Sequence, residues 1–271
     1  MVQGRGPEPG RGDVHVSVRN LDKSYHLPKG DVFAALRNVD LDIRRGEFVS
    51  VVGPSGCGKS TLLKCIAGIT GVSAGAIQVD GEPVVQPPDN MAIVFQRDIL
   101  LDWRTVIDNV LFPIEIKRQP KEKWRDRARE LLALIGLAGF EQRHPWELSG
   151  GQRQRVAICR ALIQEPQLLL MDEPFGALDA LTRDELNLEL QRLWMSTHKT
   201  VLFITHSISE AVLLSDQVVV MAAGPGRILE NIAIDLPRPR SLDTRETPEF
   251  GRHAKHIRAL FESLGFLKAK P

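Results

Sequence analysis

The nine residues Gly53-Pro54-Ser55-Gly56-Cys57-Gly58-Lys59-Ser60-Thr61 constrain this chain more than any other stretch. They follow an apolar run, Phe48–Val52, that reads as a strand, and precede Ser60–Ile69, which carries Leu62, Leu63 and Ile66 at helical spacing. Glycines at this spacing let the backbone curl until successive N–H groups face one anion, and the helix start adds the positive end of its dipole. Lys59 is placed to reach the β and γ phosphates of a nucleoside triphosphate, and the Ser60 hydroxyl to ligate magnesium. Strand, glycine loop and helix in that order predict an α/β chain that binds such a nucleotide.

The rest of the chain is consistent with that core. Its 271 residues allow one large domain or two closely joined lobes. Short strands are expected at Val14–Val18, Val39–Ile43 and Ala76–Val79, then at Ala92–Phe95, Leu168–Met171, Val201–Ile204 and Val218–Met221. The later ones are solidly apolar, as central parallel strands buried on both faces would be. Between them the pattern turns helical: Lys121–Ile135 places Trp124, Ala128, Leu131, Leu132 and Ile135 on one face, and a second helix is expected over Gly150–Ile163, capped by Ser149. A helical insertion thus spans about residues 97–160. Residues 1–13, rich in Gly, Pro and Arg, read as a flexible tail. Near the C-terminus, Phe250, Ala254, Ile257, Phe261 and Leu264 share one helix face, which predicts docking onto the core.

Composition excludes several classes. Lys+Arg 35 against Asp+Glu 34 gives a net charge of +1, which argues against a protein that grips nucleic acid by charge alone. Apolar runs reach only the length of Gln217–Ala223, far short of the ~20 residues that a membrane-spanning helix needs. The three cysteines, Cys57, Cys65 and Cys159, make no disulfide framework and show no metal spacing, which fits a reducing compartment. Cys57, near a helix N-terminus that favours a thiolate, is expected to react with bulky thiol reagents unless it is buried.

Two further segments bear on chemistry. Leu168–Met171 runs into Asp172-Glu173, which sets two carboxylates at the edge of the sheet where α/β folds bind ligands. Asp172 suits the organisation of magnesium, and Glu173 suits a general base that aligns an attacking water. Leu148-Ser149-Gly150-Gly151-Gln152 opens a helix and reads either as a plain cap or as a second anion-binding surface. Since a triphosphate needs only one phosphate loop, the second surface could serve a nucleotide held by another subunit.

Taken in order, GPSGCGKST, LSGGQ, LLLMDEP, ALD and the segment around His206 resemble the ATP-binding-cassette (ABC) ATPases over nearly all of Val14–Leu236. The resemblance implies a P-loop fold with a RecA-like core, an antiparallel β subdomain and a helical signature subdomain, within an ATPase domain of residues 14–240 followed by a helical extension, 241–271. It implies ATP and magnesium as cofactors, and a head-to-tail homodimer in which Ser149, Gly151 and Gln152 act on the partner's nucleotide. It further implies that Tyr25 stacks on adenine, the alternative being a packed strand residue. Gln96 matches the glutamine that touches magnesium or water, and His206 the switch histidine at the γ-phosphate. Asp179 matches the loop that communicates across the dimer, and could also cap the next helix. Catalysis then falls to Glu173, His206 and Gln96, and the metal to Ser60, Gln96 and Asp172.

Phe95–Val106, with its Leu-Asp-Trp-Arg-Thr-Val run, and Gly224-Pro225-Gly226-Arg227-Ile228 resemble the nitrate, sulfonate and taurine importer ATPases. Partners implied are two membrane permease subunits and, indirectly, a solute-binding protein, with the chain lying peripherally on the cytoplasmic face of the inner membrane. Arg97–Asn109, with Ile99, Leu100, Leu101 and Trp103, is the expected permease contact, Leu101 and Trp103 being its anchors. A soluble ATPase of a nucleic-acid-associated machine is the rival reading, disfavoured because no coiled coil separates the phosphate loop from Ser149.

Overall fold

The computed structural model of the chain describes residues 13–26, 28 and 31–265. The expected N-terminal tail lies outside these residues except for Asp13. Strands β1 (Val14–His26) and β2 (Val32–Arg44) pair along most of their lengths, followed by β3 (Phe48–Val52) and α1 (Lys59–Ile66). Three strands follow: β4 (Ala74–Val79), β5 (Glu82–Pro83) and β6 (Met91–Val94). The helical region holds α2 (Val106–Val110), α3 (Phe112–Ile116), α4 (Arg125–Leu134) and α5 (Gly150–Leu162). Thereafter come β7 (Leu168–Asp172), α6 (Ala180–Thr197), β8 (Thr200–Ile204), α7 (Ile208–Leu214), β9 (Gln217–Ala222), β10 (Arg227–Ala233) and α8 (Pro248–Ser263).

Two sheets result. One is antiparallel with order β2-β1-β4-β5. The other has order β10-β9-β3-β8-β7-β6, parallel except where β10 pairs antiparallel with β9. Period-2 alternation explains how one short strand serves two layers. In β7, Leu169 and Met171 join Phe48 and Phe203 against the helical region, whereas Leu168 and Leu170 join Val49, Val51 and Ile204 against α1 and the antiparallel sheet. A third cluster gathers Val218 and Val220 with α7 and α8. Strands packed on both faces are chiefly apolar, as β3, β7 and β8 are, and the one polar residue inside a run, buried Ser50 of β3, bonds the Ser215 hydroxyl.

Sequence and structure differ at some elements. Lys121–Ile135 is not one helix: Lys121–Trp124 forms a 3-10 turn, and α4 begins at Arg125. The segment after Gly224, for which no strand is expected from sequence, supplies the edge strand β10. The docked C-terminal helix is as expected, with Phe250, Ile257 and Phe261 buried against α7 and β10. A fully buried Arg240 locks this corner: its guanidinium donates to the carbonyls of Val212 (2.8 Å), Ser215 (2.7 Å) and Leu236 (2.9 Å), and Gln191 of α6 brackets its backbone. Burial, with the nearby Arg238 charge, pushes the Arg240 guanidinium down to about 9, and the carbonyl partners offset part of that desolvation. Among the described residues no helix is long and apolar enough to cross a membrane.

Candidate functional site

The phosphate loop closes at the C-terminal end of β3, where the parallel strands point their carboxyl ends. Its conformation depends on glycine at Gly58, which caps α1 at φ 94° and where a Cβ would lie 2.6 Å from Leu36 Cδ2. Support comes from behind through Gly226 in the β9–β10 turn. A Cβ there would sit 2.2 Å from the Cys57 carbonyl, while the Gly226 N–H donates to Ala35 O at 3.1 Å. The sequence reading missed this seat for the loop; the Gly224-Pro225-Gly226 run was its only signal.

Lys59 is buried, and its ammonium donates to the Gly53 carbonyl (2.9 Å) and the Pro54 carbonyl (3.2 Å), 3.9 Å from Glu173 Oε1. A buried ammonium needs such partners, and these hold it across the mouth of the loop. The Ser60 hydroxyl donates to Asp172 Oδ1 at 2.8 Å, so the first turn of α1 and the end of β7 are tied together. Burial pushes the Asp172 carboxyl above its ordinary value and the Glu173 charge adds to this, while the Ser60 bond opposes both. A hydroxyl and a carboxylate side by side are hard oxygen donors of the kind magnesium takes, so the residues fit that ion.

Glu173 sits in the left-handed region at φ 47°, held there by its N–H to Ile204 O (3.0 Å) and by Gly176 N–H to its own carbonyl (3.1 Å). Non-glycine residues in this region store strain, and such strain collects at working sites. The twist brings its carboxylate between Lys59 and His206, whose Nδ1 lies 3.5 Å from Glu173 Oε2. Gly176 lies against both Gln96 and Glu173: a Cβ there would be 3.5 Å from Gln96 Nε2 and 3.7 Å from Glu173 Oε2. Lys59, Ser60, Gln96, Asp172, Glu173 and His206 therefore converge, although they come from four separate segments of the chain.

Other expected residues stand apart. Tyr25, at the end of β1, is exposed beneath the Lys23 ammonium, 4.8 Å from its ring centre. Ser149 and Gln152 form a reciprocal cap on α5: Ser149 Oγ accepts from Gln152 N–H (3.2 Å), and Gln152 Oε1 accepts from Ser149 N–H (2.9 Å). The cap uses a lone pair of the Ser149 oxygen and leaves its proton free to donate. Gly150 and Gly151 border Leu178 and Thr182, the residues around the start of α6. Asp179 caps α6, accepting from Thr182 N–H at 3.0 Å.

The reactive-thiol expectation for Cys57 is overturned. The side chain is fully buried, and burial raises its thiol above the ordinary value more than the nearby Lys59 charge lowers it. The helix end does not rescue the thiolate, because desolvation is the larger effect. Cys57 is a packing residue whose backbone belongs to the loop. The Arg97–Asn109 cluster also divides. Leu100 packs on the core and the buried Asn109 side chain braces the turn, bonding Leu101 N–H at 2.7 Å, while Ile99 (55% exposed) and Trp103 (74% exposed) stand clear.

Comparison with known proteins agrees with this geometry. Residues 36–176 match the family model described as ABC transporter. The chain is 48% identical over 204 residues to the taurine import ATP-binding protein TauB of Escherichia coli, covering 75% of this chain and 80% of that one. It is 41% identical over 254 residues to the aliphatic sulfonates import ATP-binding protein SsuB of Bacillus cereus, covering 93% and 98%. Its fold superposes with a TM-score of 0.72 on the dimeric post-hydrolysis state of the cassette MJ0796 bound to ADP and Pi, at 33% identity over 82% of this chain and all of that one. A phosphate loop facing an acidic strand end, on a fold shared with an ADP-bound cassette, has one reading: the chain belongs to the ABC transporter family and is an ATP-binding, ATP-hydrolysing cassette.

Proposed function

We propose that this chain is the ATPase subunit of an importer for a small solute, taurine or an aliphatic sulfonate being the class its relatives' names suggest. The observation that carries the chemistry is the convergence of Lys59, Ser60, Asp172, Glu173 and His206 at one end of the parallel sheet. Loop N–H groups and Lys59 hold the β and γ phosphates. Ser60, Asp172 and Gln96 would hold magnesium, which would supply neutralisation of the charge on the transferred phosphoryl group. Glu173 takes a proton from water as its oxygen attacks the γ-phosphorus, the bond to the β-phosphate oxygen breaks, and ADP and phosphate leave. His206, next to Glu173, steadies the γ-phosphate. Ser149, Gly151 and Gln152 complete the site of a partner copy, and Tyr25 stacks on adenine. The near-neutral charge gives a nucleic-acid-associated ATPase no support.

The subunit works at the cytoplasmic face of the inner membrane beside two permease subunits, with a solute-binding protein acting on the far side. Ile99 and Trp103 are the anchors for the permease, Leu101 being partly covered, since exposed large apolar side chains within one short segment mark a docking surface. Because both stand clear of the core, Ile99→Glu with Trp103→Ala leaves the isolated chain folded and binding ATP. Co-expressed with its permease, the pair abolishes membrane association and solute uptake. Uptake at the wild-type rate by that variant would remove the permease from this surface.

A further inference from the structure

Glu210 is a buried carboxylate, 5% exposed, that the hydrolysis described above does not use. It lies in the first turn of α7. One oxygen accepts a hydrogen bond from the Thr205 hydroxyl, and the other faces the Arg183 guanidinium of α6 at 3.7 Å. Burying a carboxylate costs free energy unless it is paired, and a single cation at this distance is a spare pairing. What Glu210 joins is informative. Thr205, itself buried, immediately precedes His206, and its oxygen also accepts from the N–H of Ser207 at 3.0 Å, so the hydroxyl closes the turn around the histidine. Arg183, on the other side, donates to the carbonyl of Leu178 at 2.8 Å and thereby grips the loop that runs from Glu173 to Asp179. That loop end and the next turn are where the second glycine motif rests: a Cβ on Gly151 would lie 2.5 Å from the Thr182 methyl, and one on Gly150 3.5 Å from Leu178.

From these contacts we infer that Glu210 is a positioning residue: with Arg183 and Thr205 it fixes His206 to the start of α6, so that displacement of the Ser149–Gln152 segment is transmitted to the chain's own histidine. The inference rests on the proposed roles of His206 and of the Ser149 segment. Since that segment serves the partner's nucleotide, the relay links the two sites of a dimer through one protomer's interior. Buried groups with discrete partners carry such coupling only if changes at its ends are non-additive.

The test uses the full chain and MgATP. Glu210→Gln keeps the shape but loses the charge toward Arg183, Thr205→Val removes only the hydroxyl, and Arg183→Gln acts from the accessible side. Each lowers kcat on the order of 10-fold or more, as small misplacements of reacting groups do, with KM and the melting temperature near wild type. Thr205→Ser restores turnover because it restores the hydroxyl. Arg183→Gln combined with Thr205→Val costs no more than the worse single change. Turnover within twofold of wild type in all three single variants overturns the inference. So do losses that multiply in the double variant, and so do losses matched by equal weakening of ATP binding. If Glu210→Gln does not fold, Arg183→Gln and Thr205→Val decide alone. His206→Ala is run alongside: wild-type turnover there strikes at the site reading itself rather than at Glu210.

Discussion

Glu173→Gln lowers ATP turnover by about 10²- to 10⁴-fold while leaving nucleotide binding intact. The range is the contribution that a positioned general base makes, equivalent to about 3–5 kcal/mol of barrier. Glu173 is held at φ 47° with its carboxylate between the Lys59 ammonium and His206, so the amide occupies the same place with the same shape. It cannot take the proton of the attacking water. Hydrolysis measured as phosphate release and binding measured as fluorescent-nucleotide displacement should therefore separate. Near wild-type phosphate release would remove Glu173 from the base role.

Lys59→Ala fails differently. Its ammonium is buried across the mouth of the loop with two carbonyls as partners, and a bound triphosphate offers that charge far stronger acceptors. Removing it deletes a charge-assisted hydrogen bond, a loss of about 1.5–3 kcal/mol, or roughly 10- to 100-fold in affinity. The variant should bind ATP weakly and hydrolyse little at any ordinary concentration. Calorimetric titration checks this, and an unchanged dissociation constant would exclude Lys59 from the phosphate contact. The contrast between the two variants, one that binds without turning over and one that scarcely binds, separates holding of the phosphates from activation of water.

What the sequence could reveal followed from how locally each feature is encoded. The strands β3, β7 and β8 are buried on both faces, so their limits coincide with apolar runs. The phosphate loop is contiguous, and its glycines are required by its own backbone. Helix α6 was not delimited from sequence, because its inward face includes Asn187 and Gln191 among Leu186, Leu190 and Leu193, and buried polar groups blur the apolar period. Gln191 is there to bracket Arg240, a partner 49 residues away in the chain. Strand β10 is an edge strand with a single fully covered apolar residue, Ile232, so its pattern is faint. At the site, Gln96, Tyr25 and His206 were reachable only by resemblance, since nothing adjacent to them signals a role. Gly176, Gly226, Arg183 and Glu210 act through contacts between segments distant in sequence. Cys57 misled because the helix end was visible in the sequence and the burial was not.

In the proposed dimer, one copy's Ser149 segment completes the other copy's phosphate site. Subunit mixing tests it most directly. A chain carrying Glu173→Gln cannot activate water, and a chain carrying Ser149→Arg cannot complete its partner's site, so neither hydrolyses ATP as a homodimer. In a mixed dimer, the intact Glu173 of the second chain faces the intact Ser149 of the first, which leaves one whole site. Mixing equal amounts of the two inactive chains with MgATP is therefore predicted to restore phosphate release well above that of either alone. A mixture as inactive as its separate components would show that Ser149 serves its own chain's nucleotide, and would contradict the shared-site account.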